Sequence, residues 1–333
     1  MLQLILKQQR NDLDNVLAYC KATLPKSILL YNFLAFAKKD TYPKESTPKC
    51  YIDSCEHDQN APKFALFWVG EPLREPQTWS ISFLVLTDEK TPSSIERDEA
   101  ANFLRAVLAK EPELLSKPCY FRLIAKEDPQ GKDVQLDVLK EVLQKYGDID
   151  RIQHQLLGWM PPDDPVFSKN LQTLATKAEH IAKSNHLELD LHFGCTPGDV
   201  ELAYQTFPHH THLKYQPLEQ YRDQIHYIRG VCFRASSKVV AYMLADIYGQ
   251  GRAWTDPEWR GKRLYPLLTA VAAATDPHKV IIFAYVNHDN LSSLKSTSKH
   301  LNYLRFPSGY VTDVHRFVPR ASGKNEEKMH AKL

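Results

Sequence analysis

Residues 244–268 read LADIYGQGRAWTDPEWRGKRLYPLL, and no other stretch constrains the fold of this chain as tightly. An apolar strand ends at Asp246, and the chain turns through Gly249 and Gly251. A second strand follows near residues 252–255, then a proline-bearing loop, then a helix beginning about Gly261. Leu264, Leu267, Leu268 and Val271 recur at helical spacing and form one apolar face. Pro266 is compatible with that helix because its missing N–H falls in the first turn. The helix start places unpaired backbone N–H groups beside Arg260, Lys262 and Arg263, a combination that suits a pyrophosphate. The plainer reading of the same residues is a helical turn carrying a solvated basic cluster.

Glycine sharpens this. The 333-residue chain holds only 12 glycines, against roughly 7% of residues in an average protein, and Gly249, Gly251 and Gly261 all lie here. Collagen-like and glycine-rich low-complexity architectures are excluded. Lys and Arg number 42 against 40 acidic residues, a formal charge of +2, so no nucleic-acid partner is expected. Apolar runs such as residues 64–69 and 280–286 are far shorter than the ~20 residues of a membrane span. The six cysteines form no CxxC pair. Cys119, Cys195 and Cys232 lie in or beside apolar segments and read as buried thiols, so a reduced intracellular protein is expected, cytoplasmic or mitochondrial.

The remaining pattern predicts an α/β (α+β) protein of two domains: 1–165 mixed α/β, 186–319 a sheet flanked by helices, and 320–333 a charged, disordered tail. Residues 27–37, 64–69, 79–87 and 119–125 read as strands. Ser93 and Glu96 form a capping box for a helix carrying Phe103, Leu104 and Val107, and Leu136, Leu139 and Val142 mark another. The prolines at 161, 162 and 165 break the pattern. A polar helix near 168–184 follows, then an alternating strand at 187–192 and a helix capped by Thr196 with Pro197 at its first position. Strands at 231–234, 239–244 and 280–286 complete the second domain, with a helical stretch at 218–228. No repeat of fixed period appears. GxGxxG, GxSxG, HExxH and the GxxxxGK[ST] loop are absent. His209, His210 and His212 fall on a loop without spaced partners, so no metal is expected.

The segment Pro257-Glu258-Trp259-Arg260-Gly261-Lys262 resembles the PE-[YW]-RGKG loop of the acetyl-CoA-dependent N-acyltransferase superfamily, GNAT. In that family the helix after the loop holds the coenzyme A pyrophosphate. The glycine N-acyltransferase branch is similar over a longer span. VVAYMLADIYGQ precedes the loop, VIIFAYVNHDN and a helix follow it, and LPKSILLYNF at 24–33 looks like that branch's opening. The resemblance leaves open that the N-terminal half is a degenerate copy of the same fold.

The resemblance implies an acyl-CoA co-substrate and no metal. It implies transfer of the acyl group to glycine or another small amine or amino acid. The pyrophosphate would sit on Arg260, Gly261, Lys262, Arg263, Leu264 and Tyr265, the pantetheine along Ala253, Trp254 and Thr255, with Asn290 near the far arm. The sequence departs from the family at three points. Arg263 and Tyr265 stand where small residues are usual, and Arg263 would either add a cation to the phosphates or obstruct them. Gln250 occupies the position of the branch's catalytic Glu, and its amide takes no proton near neutral pH. Asp246 and His288 are the candidate substitutes. The alternative is a catalytically weak or inactive GNAT-fold module that binds CoA or another protein.

Overall fold

The computed structural model describes residues 3–4, 10–38, 48–54, 62–69, 79–86, 94–126, 134–159, 161, 164–206, 230–245, 251–276, 281, 283–286, 289–300 and 310–320. They form a mixed α/β architecture in two compact units, interleaved along the chain. The first comprises 1–19, 44–154 and 311–333; the second comprises 20–43 and 155–310.

In the first unit, β1 (Gln3–Leu4), β2 (Pro48–Ser54), β3 (Pro62–Val69) and β4 (Trp79–Val85) form an antiparallel meander, and β5 (Cys119–Lys126) adds to β4 in parallel. The sheet continues through β12 (Tyr310–Pro319) to β6 (Gly147–Trp159). A parallel pair needs a crossover, and α3 (Ser94–Lys110) supplies it. Its Ala100, Phe103, Leu104 and Val107 recur on one face and are buried with Phe64, Phe83, Phe121 and Phe317. Helix α4 (Val134–Leu143) then returns the chain to β6 and buries Leu136, Val138, Leu139 and Val142. Side chains of this size contribute ~1.5–3 kcal/mol each when fully buried, so this one cluster holds the layers together.

Helix α1 (Arg10–Ala22) precedes α2 (Ile28–Lys38) in the chain, and the second unit contains α2 and a four-stranded antiparallel sheet in the order β10-β9-β8-β7. Its strands are β7 (Leu187–Phe193), β8 (Gly230–Ala235), β9 (Lys238–Ala245) and β10 (Gly251–Thr255). One face carries Val231, Phe233, Ala241 and Met243 and packs on α5 (Pro165–Ser184) and α7 (Leu264–Thr275). The other carries Cys232, Tyr242 and Leu244 and packs on α6 (Pro197–Thr206). Strand β11 (Phe283–Val286) pairs antiparallel with residues 156–159 of β6, and α8 (Leu291–His300) follows it.

One element order occurs twice along the chain. Strands β2-β3-β4, helix α3, strand β5, helix α4 and strand β6 are matched by β8-β9-β10, α7, β11, α8 and β12.

Three sequence readings change. Residues 27–37 form a helix, not a strand: they hold a continuous apolar run rather than an alternation, and Ile28, Leu29, Leu30, Phe33, Leu34 and Phe36 are all buried. Even its half-buried positions, Tyr31, Ala35 and Ala37, are apolar or aromatic, so no polar face identifies the helix. Cys195 is exposed, because it lies in the turn after Phe193 rather than in the strand. The alternation of β7 is broken by a register shift between Asp190 and Phe193, which leaves Leu191 exposed. The helical stretch at 218–228 lies outside the described residues.

Candidate functional site

Strand β10 is the edge of its sheet, and its register decides which backbone groups are open. The Asp256 N–H donates to the Val240 carbonyl at 2.8 Å. In an antiparallel ladder the direction alternates, so Trp254 and Arg252 point their backbone groups at β9, opposite Tyr242 and Leu244. The N–H and C=O groups of Ala253 and Thr255 therefore face away from the sheet. The Thr255 carbonyl accepts from Arg260 Nε at 3.3 Å on that outer side. Strand β11 lies against β10, yet the two share no ladder and belong to separate sheets. A splayed pair of strands results, with the outward N–H groups of Ala253 and Thr255 along one wall.

The corresponding place in the first unit differs. There β4 and β5 pair through residues 79–82 and 119–122, and beyond that point Gln135 of α4 bridges them. Its Oε1 accepts from Val85 N–H at 3.1 Å, and its Nε2 donates to the Ile124 carbonyl at 2.6 Å. The side chain is buried, and both of its amide groups are hydrogen-bonded at this edge.

Past Thr255 the chain makes a 3-10 turn at Pro257–Trp259, and Asp256 organises it. Its Oδ1 accepts from the Glu258 N–H at 3.0 Å, and its Oδ2 lies 2.9 Å from Lys238 Nζ. That hydrogen bond to Lys238 holds the Asp256 carboxyl below the usual carboxylate range, and the same contact raises Lys238. Sequence reading passed over Asp256. An Asp directly before Pro and Glu is an N-cap signal, and it was legible.

Gly261 and Arg263 both take positive φ, at 81° and 61°. A Cβ at Gly261 would meet no atom within 4 Å, so backbone conformation and not space selects glycine there. Helix α7 begins at Leu264, three residues later than the sequence predicts, because left-handed Arg263 occupies its N-cap. No side chain caps it. Among the described residues, the backbone N–H groups of Gly261, Lys262, Arg263 and Leu264 make no hydrogen bond. Arg260, Lys262 and Arg263 are exposed around them.

The face opposite α7 carries an aromatic row. Phe193 stacks on Tyr242 at 4.5 Å between centroids, and Tyr242 on half-buried Trp254 at 6.1 Å. Gly230 makes room for it: a Cβ there would lie 2.9 Å from the Phe193 ring. Helix α6 is held over this face by Arg234, whose guanidinium lies 2.9 Å from both Asp190 and Asp199. Burial pushes the Cys232 thiol up to about 12, which removes it as a nucleophile.

The structure thus brings Ala253, Trp254, Thr255, Arg260, Gly261, Lys262, Arg263, Leu264 and Tyr265 together on one strand, loop and helix start. Asn290 precedes α8, where its Oδ1 accepts from the Ser293 N–H at 3.1 Å. Gln250, Asp246 and His288 lie outside the described residues, as do His209, His210 and His212. Among the described residues no group of three or more metal-ligating side chains occurs, and no helix is long and apolar enough to cross a membrane.

No protein-family model matches the sequence, and no curated protein matches it. Among solved structures the chain is similar to a Drosophila protein from a structural genomics consortium, with a TM-score of 0.58 at 10% identity over 95% of this chain and 98% of that one. That likeness is one of fold. A tandem GNAT protein from the clavulanic acid biosynthesis pathway aligns with a TM-score of 0.46 at 11% identity, covering 96% and 98% of the two chains. A GNAT-family acetyltransferase from Colwellia psychrerythraea aligns with a TM-score of 0.36 at 9% identity, covering 96% and 100%.

Proposed function

We propose that the second unit is a GNAT-type N-acyltransferase site that takes an acyl-CoA and passes its acyl group to glycine or another small amine. The observation that carries this is the open edge of β10, continuous with the basic loop. The outward N–H groups of Ala253 and Thr255 suit the amides of an extended pantetheine arm. The unbonded N–H groups of residues 261–264, with Arg260, Lys262 and Arg263, suit the pyrophosphate.

A neutral amine would attack the thioester carbonyl, and the thiolate would leave. An N–H of the β10 edge would hold the developing oxyanion, a contribution worth ~10²–10³-fold for one donor. The nitrogen sheds one proton as the tetrahedral adduct collapses; Asp246 or His288 would take it, or, without a base, it would pass to the departing thiolate to give free CoA thiol. Gln250 can orient but not accept, so the loss of a general base lowers the rate by ~10²–10⁴-fold rather than abolishing it.

The test is free-thiol release from acetyl-, butyryl- and benzoyl-CoA with a panel of amines, alongside calorimetry with CoA. Amine-dependent release supports the reading. Binding without turnover leaves a CoA-binding module, and neither binding nor release overturns the proposal.

A further inference from the structure

The three loop cations are held differently. Arg260 Nε is tied to the Thr255 carbonyl at 3.3 Å, and Arg263 extends into solvent from a left-handed backbone. Lys262 takes a third arrangement: its ammonium lies 3.9 Å from the centroid of the Trp259 ring. Trp259 is itself half-buried against the cluster that joins α5 and α7 to the sheet. An exposed lysine ordinarily samples many rotamers and loses them when it binds an anion. Here the ring face attracts the cation and fixes where it lies, while the side of the ammonium away from the ring keeps its N–H donors available.

We propose that Trp259 is a positioning residue, presenting the Lys262 ammonium to the phosphates of the coenzyme through this cation–π contact. The proposal rests on the acyl-CoA reading above. Trp259 touches no substrate; it acts through Lys262, and its effect must vanish when Lys262 is gone.

Calorimetry with CoA on the full chain tests this, using Trp259→Leu, Trp259→Phe, Lys262→Met and the Trp259→Leu/Lys262→Met pair. At an exposed lysine a cation–π contact corresponds to about 2–5-fold in affinity. Trp259→Leu is expected to weaken CoA by that factor, Trp259→Phe to recover most of it, and Trp259→Leu to change nothing further once Lys262 is Met. Leucine at 259 also removes packing, so the Trp259→Phe series is repeated with and without Lys262. A Phe effect that persists without Lys262 reports packing alone and overturns the proposal. Unchanged CoA affinity in Trp259→Leu, beside a wild type that binds CoA, overturns the positioning role alone. A wild type that binds no CoA overturns the coenzyme reading itself.

Discussion

A left-handed arginine costs roughly 1–2 kcal/mol because its Cβ crowds the following carbonyl, and Arg263 holds that conformation at φ 61° and ψ 27°. Glycine adopts this backbone conformation without that crowding. Arg263→Gly is expected to stabilise the protein by about 0.5–1 kcal/mol, after the larger unfolded-state freedom of glycine is subtracted. Thermal unfolding checks it. CoA affinity is expected to fall about 3–10-fold in the same variant, because a charge-assisted phosphate contact is lost. A rise in affinity would show that the arginine obstructs the phosphates. Asp256 has its own signature. Its folded-state pKa is lowered by Lys238, so its contribution is present above the unfolded value of about 3.9 and is lost as pH falls through the folded value. Asp256→Asn is therefore expected to lower the melting temperature at pH 7, with the difference from wild type shrinking below about pH 4. Residues such as these were only partly legible. Chemical type and spacing pointed to the loop, whereas the sign of φ at Arg263 and the contact of Lys262 with Trp259 depend on the path the turn takes.

At the scale of elements, the alternation of an edge strand separates two kinds of position that look alike in sequence. Ala253 and Trp254 are neighbours, yet the Ala253 N–H faces outward and that of Trp254 faces β9. Proline is tolerated on an edge strand where its missing N–H faces away from the sheet. Ala253→Pro is expected to fold with a near-native circular dichroism spectrum and to lose roughly 10²–10³-fold in turnover, if that donor meets the oxyanion. Trp254→Pro removes a ladder bond to β9 and is expected to cost about 1–3 kcal/mol. Equal turnover in Ala253→Pro and wild type would remove the β10 edge from the mechanism. The sequence identified β7, β8, β9, β10 and α7 because alternation, capping and turn residues are local. It misread α2, whose nearly continuous apolar run erases the period, and it overlooked β6 and β12, whose polar residues mask their strand character.

For the molecule as a whole, the repeated element order was invisible as a sequence period, since it is preserved in strand and helix sequence rather than in residues. Nor does any local pattern place β12 between β5 and β6, because that pairing joins segments far apart in the chain. The two strand edges differ by one side chain. In the second unit, the edge of β10 is open toward β11; in the first, Gln135 occupies the equivalent edge with two buried hydrogen bonds. Displacing it for a pantetheine would leave its amide buried without partners, a loss of about 1–3 kcal/mol per group. One coenzyme per chain is therefore expected, and calorimetric titration with CoA should give a stoichiometry near one. Gln135→Ala strands the Val85 N–H and the Ile124 carbonyl together, so it is expected to destabilise the protein by about 2–5 kcal/mol. Its effect on CoA affinity is expected to be small, because the coenzyme site proposed above lies in the other unit. A wild-type stoichiometry near two would show that Gln135 yields to the ligand, and both units would then carry a working site.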